Sequence, residues 1–257
     1  MDLKPNQLEA ISNAVPESTR EKLLNPPAKI IGDSIAGILG KVFRPLQEWK
    51  IVNEHHLEEF KDNIYDNLSQ IPENNRDASK LGLVLKAFEE AKYQLDEKEL
   101  RNYFSNLISS SVDNRKNSAI TPRFATVLSQ LGKDEAILLK NLNNQDRHAI
   151  LGYLSIATPD SKEVSKISPV TLVWNRLTYE FEFEKSLDIL SSLGVININY
   201  DRKLPGDLHE LQISELKECL TFMYGKQYKL EENQKLLFYR GVVTCSEFGN
   251  QLLDVII

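Results

Sequence analysis

Cysteine is scarce in this 257-residue chain, and the placement of the two that occur argues against several classes of protein. Cys219 and Cys245 stand apart, and the sequence has no Cys-x-x-Cys pair. Disulfide-framed secreted domains and zinc sites built on paired cysteines need denser and more regular spacing than this. We therefore expect two free thiols in a reducing compartment.

Long hydrophobic runs are also missing. No stretch reaches the ~18 consecutive apolar residues that a membrane-spanning helix needs. The N-terminus, Met-Asp-Leu-Lys-Pro, shows no apolar region of the kind found in a secretory leader. The expectation is a soluble cytoplasmic protein, and peripheral association with the inner membrane stays open as an alternative.

Positive charge is in deficit along the whole chain, whose net charge is −6. Residues 1–130 carry 17 Lys and Arg against 19 Asp and Glu, and residues 131–257 carry 14 against 18. Proteins that bind nucleic acid through its phosphates usually have a basic domain or face. Neither half is basic overall, so the sequence disfavours a nucleic-acid partner.

Motifs that carry catalysis are missing too. The sequence has no Gly-x-Ser-x-Gly elbow, no phosphate-binding loop and no His-Glu-x-x-His metal helix. The four histidines, among them the adjacent pair His55 and His56, are predicted to be surface residues, and the paired glutamates to be solvated helix faces. We assign no catalytic, cofactor-binding or metal-binding residue, and we expect a non-enzymatic protein that needs no cofactor.

What the chain does contain is the composition of a globular protein, with 41% hydrophobic and 26% charged residues. Residues 1–27, interrupted by four prolines, are expected to form a loosely structured lead-in. Apolar residues then recur at helical spacing. They predict a helical bundle over residues 28–131. The helices predicted in it cover 28–49, 57–68, 78–95, 97–112 and the segment from Pro122 to Leu131. A further helix is predicted directly after the bundle, over 134–142.

The pattern changes in residues 132–257, where strands mix with helices. Residues 148–157 are ambiguous between helix and strand, and 159–169 are predicted to be a loop. Helices are expected over 180–193, 211–224 and 246–257, and short strands over 195–200 and 241–245. This order resembles a winged-helix module. The predicted fold is therefore mainly α, an N-terminal helical bundle followed by a C-terminal α+β winged-helix-like domain.

A winged helix raises the alternative of a DNA-binding regulator. The segment 180–193 carries Glu180, Glu182, Glu184 and Asp188 against Lys185, a net charge of −3 that would repel phosphate. We therefore interpret this module as a scaffold or as a surface for protein contacts.

Residues 98–142 resemble the abortive-infection alpha family of bacterial anti-phage proteins. The resemblance rests on three phrases and on a polar break near Asp113. The phrases are Leu-Arg-x-x-Phe-x-Asn-Leu at 100–107, Pro-x-Phe at 122–124 and Leu-x-x-Asp-Glu-Ala-x-x-Leu at 131–139. The segments before and after these residues are similar in character, so the resemblance covers most of the chain after residue 28. Thr121 stands where the family often has histidine, so we assign that position no role. The resemblance implies a defence function and brings no catalytic residues with it. The apolar members of the signature are expected in the core: Leu100, Phe104, Leu107, Phe124, Leu128 and Leu139.

Two sets of residues are candidate interaction sites. Arg101, Asn106 and Asp134 are polar members of the signature that packing alone does not explain. Gly32, Ala36 and Gly40 are spaced four residues apart and would form a strip without bulk on an amphipathic helix over 28–49. That strip fits close helix packing, a second protomer of a homo-oligomer, or insertion at a membrane surface. The expected partner is an unidentified phage or host protein, with a membrane-active effector as the alternative.

Overall fold

A computed structural model describes residues 53–158, 163–175, 178–181, 183–200, 204 and 206–257. Contacts within the chain divide it into two units. The first runs through Gln130 and also includes Ile256, and the second comprises Leu131–Val255 and Ile257. The predicted lead-in over 1–27 and the predicted helix over 28–49 lie outside the described residues.

The first described helix, α1, spans Glu54–Ser69. Asn53 caps it, because its side chain accepts a hydrogen bond from the backbone N–H of His55. Its predicted apolar stripe is confirmed, since Leu57, Phe60, Ile64 and Leu68 are all buried. The helix ends at Ser69, shortly before Pro72, and a short 3-10 turn at Glu73–Asn75 follows that proline.

Helix α2 spans Leu81–Ala91 and is shorter than the predicted 78–95. Val84 and Phe88 face the core, and the ring of Phe88 meets that of Phe60 edge-on at 5.8 Å. Leu85, another apolar residue of this helix, is 50% exposed. It follows Val84 by one residue, which turns its side chain about 100° away from the buried face.

Helix α3 spans Lys98–Ser111 and helix α4 spans Pro122–Leu128, close to the predicted bounds. Proline stands at the first position of α4, where its missing N–H costs nothing. Thr121, left without a role above, caps this helix by accepting a hydrogen bond from the N–H of Arg123. The expected core residues of both helices are buried: Leu100, Phe104, Leu107, Phe124 and Leu128.

The second unit begins with helix α5, Lys133–Asn143, on which Leu139 is fully buried. A six-stranded antiparallel sheet follows. Its strands are β1 (His148–Thr158), β2 (Glu163–Lys166), β3 (Thr171–Asn175), β4 (Thr178–Glu180), β5 (Ile196–Asn199) and β6 (Lys235–Cys245). The order is β4-β3-β1-β6-β5, and β2 pairs with the far half of β1. The ambiguous segment at 148–157 is therefore a strand, and the long β1–β6 pair forms the centre of the sheet.

Three predictions about this part of the chain were only partly right. The helix expected over 180–193 is α6, Glu184–Ser192, because residues 178–180 form β4. The loop expected over 159–169 contains β2. The strand expected over 241–245 is the end of an 11-residue strand that begins at Lys235. In each case, pairing with β1 or β3 extends the chain where the local sequence gives no alternating pattern.

Helix α7, Asp207–Met223, packs on one face of the sheet and buries Leu216 and Leu220 against Ile150, Leu154 and Val173. A 3-10 turn at Gly225–Gln227 follows it. Helix α8, Glu247–Ile256, closes the chain and is capped by Ser246, whose hydroxyl accepts from the N–H of Gly249. The fold is thus helical in the first unit and mixed α and β in the second.

Candidate functional site

Arg101 lies almost fully buried on α3, with 4% of its surface exposed. Its guanidinium forms an ion pair with Glu59 of α1 at 2.6 Å and donates to the backbone oxygens of Leu95 and Asp96 at 2.7 and 3.0 Å. A planar group with several fixed donors suits such a site, because one side chain reaches three acceptors in different directions. Arg101 therefore ties two helices and the turn between α2 and α3 together.

Asparagine pairs continue this contact along α1 and α3. Asn63 donates to Asn102 at 3.0 Å, and Asn67 donates to Asn106 at 2.7 Å. The α1 members, with Glu59, are spaced four residues apart and so share one helix face. We call this set the polar seam: Glu59, Asn63 and Asn67 on α1 with Arg101, Asn102 and Asn106 on α3.

Asn106 uses both ends of its amide. Its oxygen accepts from Asn67, and its NH2 donates to the backbone oxygen of Ile256 at 2.8 Å. That carbonyl belongs to the last turn of α8, where helical carbonyls lack partners within the helix. The amide of Asn106 therefore donates to a carbonyl oxygen that has no partner within α8.

His56 lies at one end of the seam, half-buried, with its Nδ1 3.1 Å from a carboxylate oxygen of Asp96. This contact is an ion pair only when the imidazole is protonated. His55 beside it is exposed. Sequence reasoning expected both at the surface and did not find the Asp96 contact, which joins residues 40 positions apart.

Several buried serines of α3 also point inward. Ser105, Ser109 and Ser111 each donate to the backbone oxygen four residues earlier, at 2.5, 2.8 and 2.7 Å. A hydroxyl that bonds its own helix in this way can be buried without another partner. These small side chains fill a buried face of α3 without leaving their polar atoms unpaired.

The loops at the end of α1 and α3 are joined by a polar clasp. The amide of Asn117 donates to Asp77 at 2.8 Å, and the ammonium of Lys80 donates to the backbone oxygen of Asn117 at 2.8 Å. The backbone and side chain of Ser79, followed by Asn117, lower the pKa of Asp77 by hydrogen-bonding its carboxylate. The clasp holds a charged aspartate as a structural acceptor.

Asp134 belongs to neither the seam nor the clasp, and its neighbour Glu135 makes contacts of its own within the second unit. Asp134 is exposed in the first turn of α5, where a negative charge suits the helix dipole. Glu135 is buried and accepts from the N–H of Gly132 and from the hydroxyl of Ser186, both at 2.7 Å. The sequence shows the pair Asp-Glu, but only the structure shows which carboxylate turns inward.

The remaining candidates, Gly32, Ala36 and Gly40, lie outside the described residues. Within the part of the chain that the structure describes, no group of three or more His, Cys, Asp or Glu side chains is arranged to hold a metal ion. In the same part, no helix is both long and apolar enough to cross a membrane.

The seam and the clasp account for the polar residues of the signature phrases at 100–107 and for the loop after them. A model of the family described as abortive infection alpha matches residues 52–256. This chain belongs to the abortive infection alpha family. Comparison with curated proteins and with solved structures finds no match to the chain.

In this member of the abortive infection alpha family, the matched residues include the signature at 98–142 and nearly all of the described chain, in line with the resemblance expected over most of the chain. Arg101 and Asn106, which were candidate interaction residues, have most of their donors and acceptors engaged inside the chain. These two residues of the signature therefore help to hold the first unit together.

Proposed function

We propose that this protein is a non-enzymatic abortive-infection, anti-phage defence protein that acts through contacts with another protein. Family membership supports the defence role. The observation that supports a contact mechanism is the uneven distribution of exposed large apolar side chains between the two units. Ten of the twelve that the described residues expose lie in the second unit, and only Leu85 and Tyr93 lie in the first.

Four of the ten follow one another at the end of α7 and beyond it: Phe222, Met223, Tyr228 and Leu230, which are 69%, 39%, 45% and 41% exposed. A row of apolar side chains left in water is a common feature of protein-binding surfaces. Lys226 covers part of this row, with its ammonium 4.4 Å from the centre of the Phe222 ring. The row supports a protein partner, of phage or host origin.

The first unit offers a matched control. Tyr93 is 66% exposed and has the ammonium of Lys92 4.9 Å from its ring centre, so it resembles Phe222 in exposure and in its cationic neighbour. We would express wild-type protein, Phe222→Asp and Tyr93→Asp in a phage-sensitive host and measure efficiency of plating. If Phe222 anchors a partner, its loss weakens that complex by about tenfold or more, and protection falls.

Tyr93→Asp should leave protection at the wild-type level, at equal protein abundance in the cell. Equal protection by all three proteins would argue against this surface. A nuclease or other hydrolase activity in the purified protein, abolished by one polar substitution, would overturn the non-enzymatic mechanism. A pull-down from infected cells would then identify whether the partner is a phage or a host protein.

The membrane-active alternative rests on residues 28–49, including Gly32, Ala36 and Gly40, which lie outside the described residues. Flotation with anionic liposomes, before and after exposure to phage components, tests it. Absence of protein in the lipid fraction under both conditions would exclude it.

The DNA-binding alternative rests on the winged-helix interpretation of the second unit. The helix concerned, α6, carries Glu184 and Asp188 against Lys185, a net charge of −1 that does not favour phosphate. We infer that this unit is a scaffold for protein contacts, located in the cytoplasm. A mobility shift with genomic fragments that weakens steeply with salt would favour the DNA-binding alternative.

A further inference from the structure

Three tyrosines lie together on the face of the sheet opposite α7. Tyr153 of β1 and Tyr239 of β6 are register partners, and their rings stack at 5.0 Å with an angle of 9°. Tyr200, directly after β5, meets Tyr153 edge-on at 5.8 Å. We call these three side chains the tyrosine platform. Tyr200 is 43% exposed, and the other two are half-buried.

Gly241 makes room for this arrangement. A Cβ atom at Gly241 would lie 2.9 Å from the backbone oxygen of Asn199 and 3.0 Å from the Cα of Tyr200. Because position 241 has no side chain, the chain after β5 lies directly on β6 and brings the ring of Tyr200 against Tyr153. The close approach of the two backbones at Gly241 therefore fixes where Tyr200 stands relative to Tyr153.

Carboxylates border the platform. Glu184 and Asp188 are one helical turn apart on α6, so they lie on the same side of that helix. Burial and Tyr153 raise the pKa of Tyr200, and the negative charges of Glu184 and Asp188 raise it further. An electron-rich ring face next to carboxylates is the environment that attracts a cation.

A lysine of the protein itself already contacts one of these rings and one of these carboxylates. The Nζ of Lys166 lies 5.9 Å from the centre of the Tyr153 ring and forms an ion pair with Glu184. Lys166 and Glu184 neutralise each other, whereas Asp188 is exposed beside Tyr200. Val164 and Leu237, 53% and 36% exposed, lie on the same sheet face and offer apolar surface to the stem of a long cationic side chain.

We propose that the tyrosine platform and Asp188 form a binding site for an arginine side chain presented by a partner protein. The planar guanidinium would lie on the exposed Tyr200 ring and donate to the Asp188 carboxylate. Arginine is preferred over lysine because its flat, weakly hydrated head both stacks on aromatic rings and forms two parallel hydrogen bonds. This inference rests on the proposed function, and it names the chemistry that a partner would need.

The test uses the full-length protein and short fluorescent peptides of the form Ala-Arg-Ala-Arg-Ala. The matched control peptide has citrulline in place of arginine, which keeps the size and loses the charge. Fluorescence anisotropy at about 50 mM salt, where surface charges are weakly screened, measures binding. The arginine peptide should bind more tightly than the citrulline peptide.

Variants locate the site. Tyr200→Ala should weaken binding of the arginine peptide about two- to fivefold, as expected for one exposed cation–π contact, and Asp188→Asn should weaken it similarly. Tyr200→Phe keeps the ring and should bind like the wild type. Tyr93→Ala removes an exposed tyrosine of the first unit and should also bind like the wild type. Circular dichroism and thermal melting of each variant establish that it is folded.

Four results would overturn the proposal: equal binding of the arginine and citrulline peptides, a loss in Tyr93→Ala as large as in Tyr200→Ala, tighter binding of Ala-Glu-Ala-Glu-Ala, or tighter, Tyr200-dependent binding of a single-stranded oligothymidine. Self-association seen by sedimentation and lost in Tyr200→Ala would assign the platform to a second copy and overturn it as well.

The phage assay separates this inference from the proposed function. If Tyr200→Ala loses the peptide and keeps full protection while Phe222→Asp loses protection, the platform is not the partner site although the contact mechanism stands. If protection survives both substitutions, the contact mechanism itself fails.

Discussion

Glu59 and Arg101 form an ion pair in which the two side chains are unequally buried. Their atoms approach to 2.6 Å, while the side chain of Arg101 is 5% exposed and that of Glu59 is 30% exposed. The pair is therefore held from the α3 side, by the backbone acceptors at Leu95 and Asp96. Loss of the glutamate would leave a cation that cannot easily reach water.

We expect Glu59→Ala to lower the free energy of unfolding by roughly 1–3 kcal/mol, less than for a fully buried pair because water still reaches Glu59. Arg101→Lys should also be destabilising, since an ammonium cannot reproduce the three-way fork. Lys86→Ala, which breaks the half-buried pair with Glu90 one turn away on α2, serves as control and should cost only about 0.5 kcal/mol, as is usual for a pair within one helix. Urea unfolding measures all three, and a neutral Glu59→Ala would contradict the assigned role.

Substitution by alanine is expected to have opposite effects on stability at two glycines of the described chain. A Cβ at Gly249, in the first turn of α8, would lie 2.0 Å from the backbone oxygen of Val195, whereas a Cβ at Gly82 in α2 meets nothing within 4 Å. Gly249→Ala must displace the backbone and should cost at least the roughly 1–3 kcal/mol of an overpacked core. Gly82→Ala should raise stability by up to about 1 kcal/mol.

Thermal melting of both variants checks this pair. A Gly249→Ala protein as stable as the wild type would mean that α8 lies farther from Val195 than the structure places it. The Gly82 variant controls for a general effect of adding a methyl group to a helix.

The helical unit was the part of the fold that the sequence predicted best, and the reason is local. In α1 and α3, apolar residues repeat at helical spacing, and Pro122 marks the start of α4 through its effect on its immediate neighbours. Such signals need no knowledge of the rest of the chain.

The sheet was predicted poorly because its strands are specified by distant partners. Strand β3 and strand β4 were not predicted at all, although Trp174 on β3 is buried and its indole donates to Glu180 on β4. Their pairing depends on β1, which was itself ambiguous between helix and strand. A strand buried on both faces loses the alternation by which sequence analysis finds strands.

Among the candidate residues too, the sequence identified some members of each contact and missed their distant partners. Arg101 and Asn106 were singled out because packing could not explain polar groups inside an apolar pattern, and both make several contacts. Their partners, Glu59 and Asn67, are 42 and 39 positions away and carried no signal of their own. Glu135 was overlooked beside Asp134 because its contact with Ser186 joins residues 51 positions apart.

Cys245 is expected to be an unreactive thiol. Burial raises its pKa to about 11, and the nearby Arg147 lowers it only in part. Between the ordinary thiol value and about 11, the unfolded chain loses this proton while the folded chain keeps it, so the contribution of Cys245 to stability falls as the pH rises through that window.

Alkylation with iodoacetamide at pH 8, followed by mass spectrometry, measures the reactivity of the Cys245 thiol. Cys245 in the folded protein should react about two orders of magnitude more slowly than in the denatured protein, because so little thiolate is present. Equal rates in the two states would show that Cys245 ionises normally. The free energy of unfolding of the wild type should fall more between pH 7.5 and pH 10 than that of Cys245→Ser, and this difference separates the thiol from other groups that titrate.

Two buried serines of the second unit provide the last prediction. Ser155 on β1 is 1% exposed, and its hydroxyl has no hydrogen-bond partner among the residues that the structure describes. The similarly buried hydroxyl of Ser186 on α6 donates to Glu135 at 2.7 Å. Removing an unpaired buried hydroxyl relieves its desolvation cost, while removing a paired one leaves Glu135 short of a donor. Ser155→Ala should therefore leave the free energy of unfolding unchanged or raise it by up to about 1 kcal/mol. Ser186→Ala should lower it by roughly 1–3 kcal/mol, because the acceptor left behind is a carboxylate. Urea unfolding of the two variants side by side gives the difference directly, and an equal loss in both would mean that Ser155 has a partner in solution.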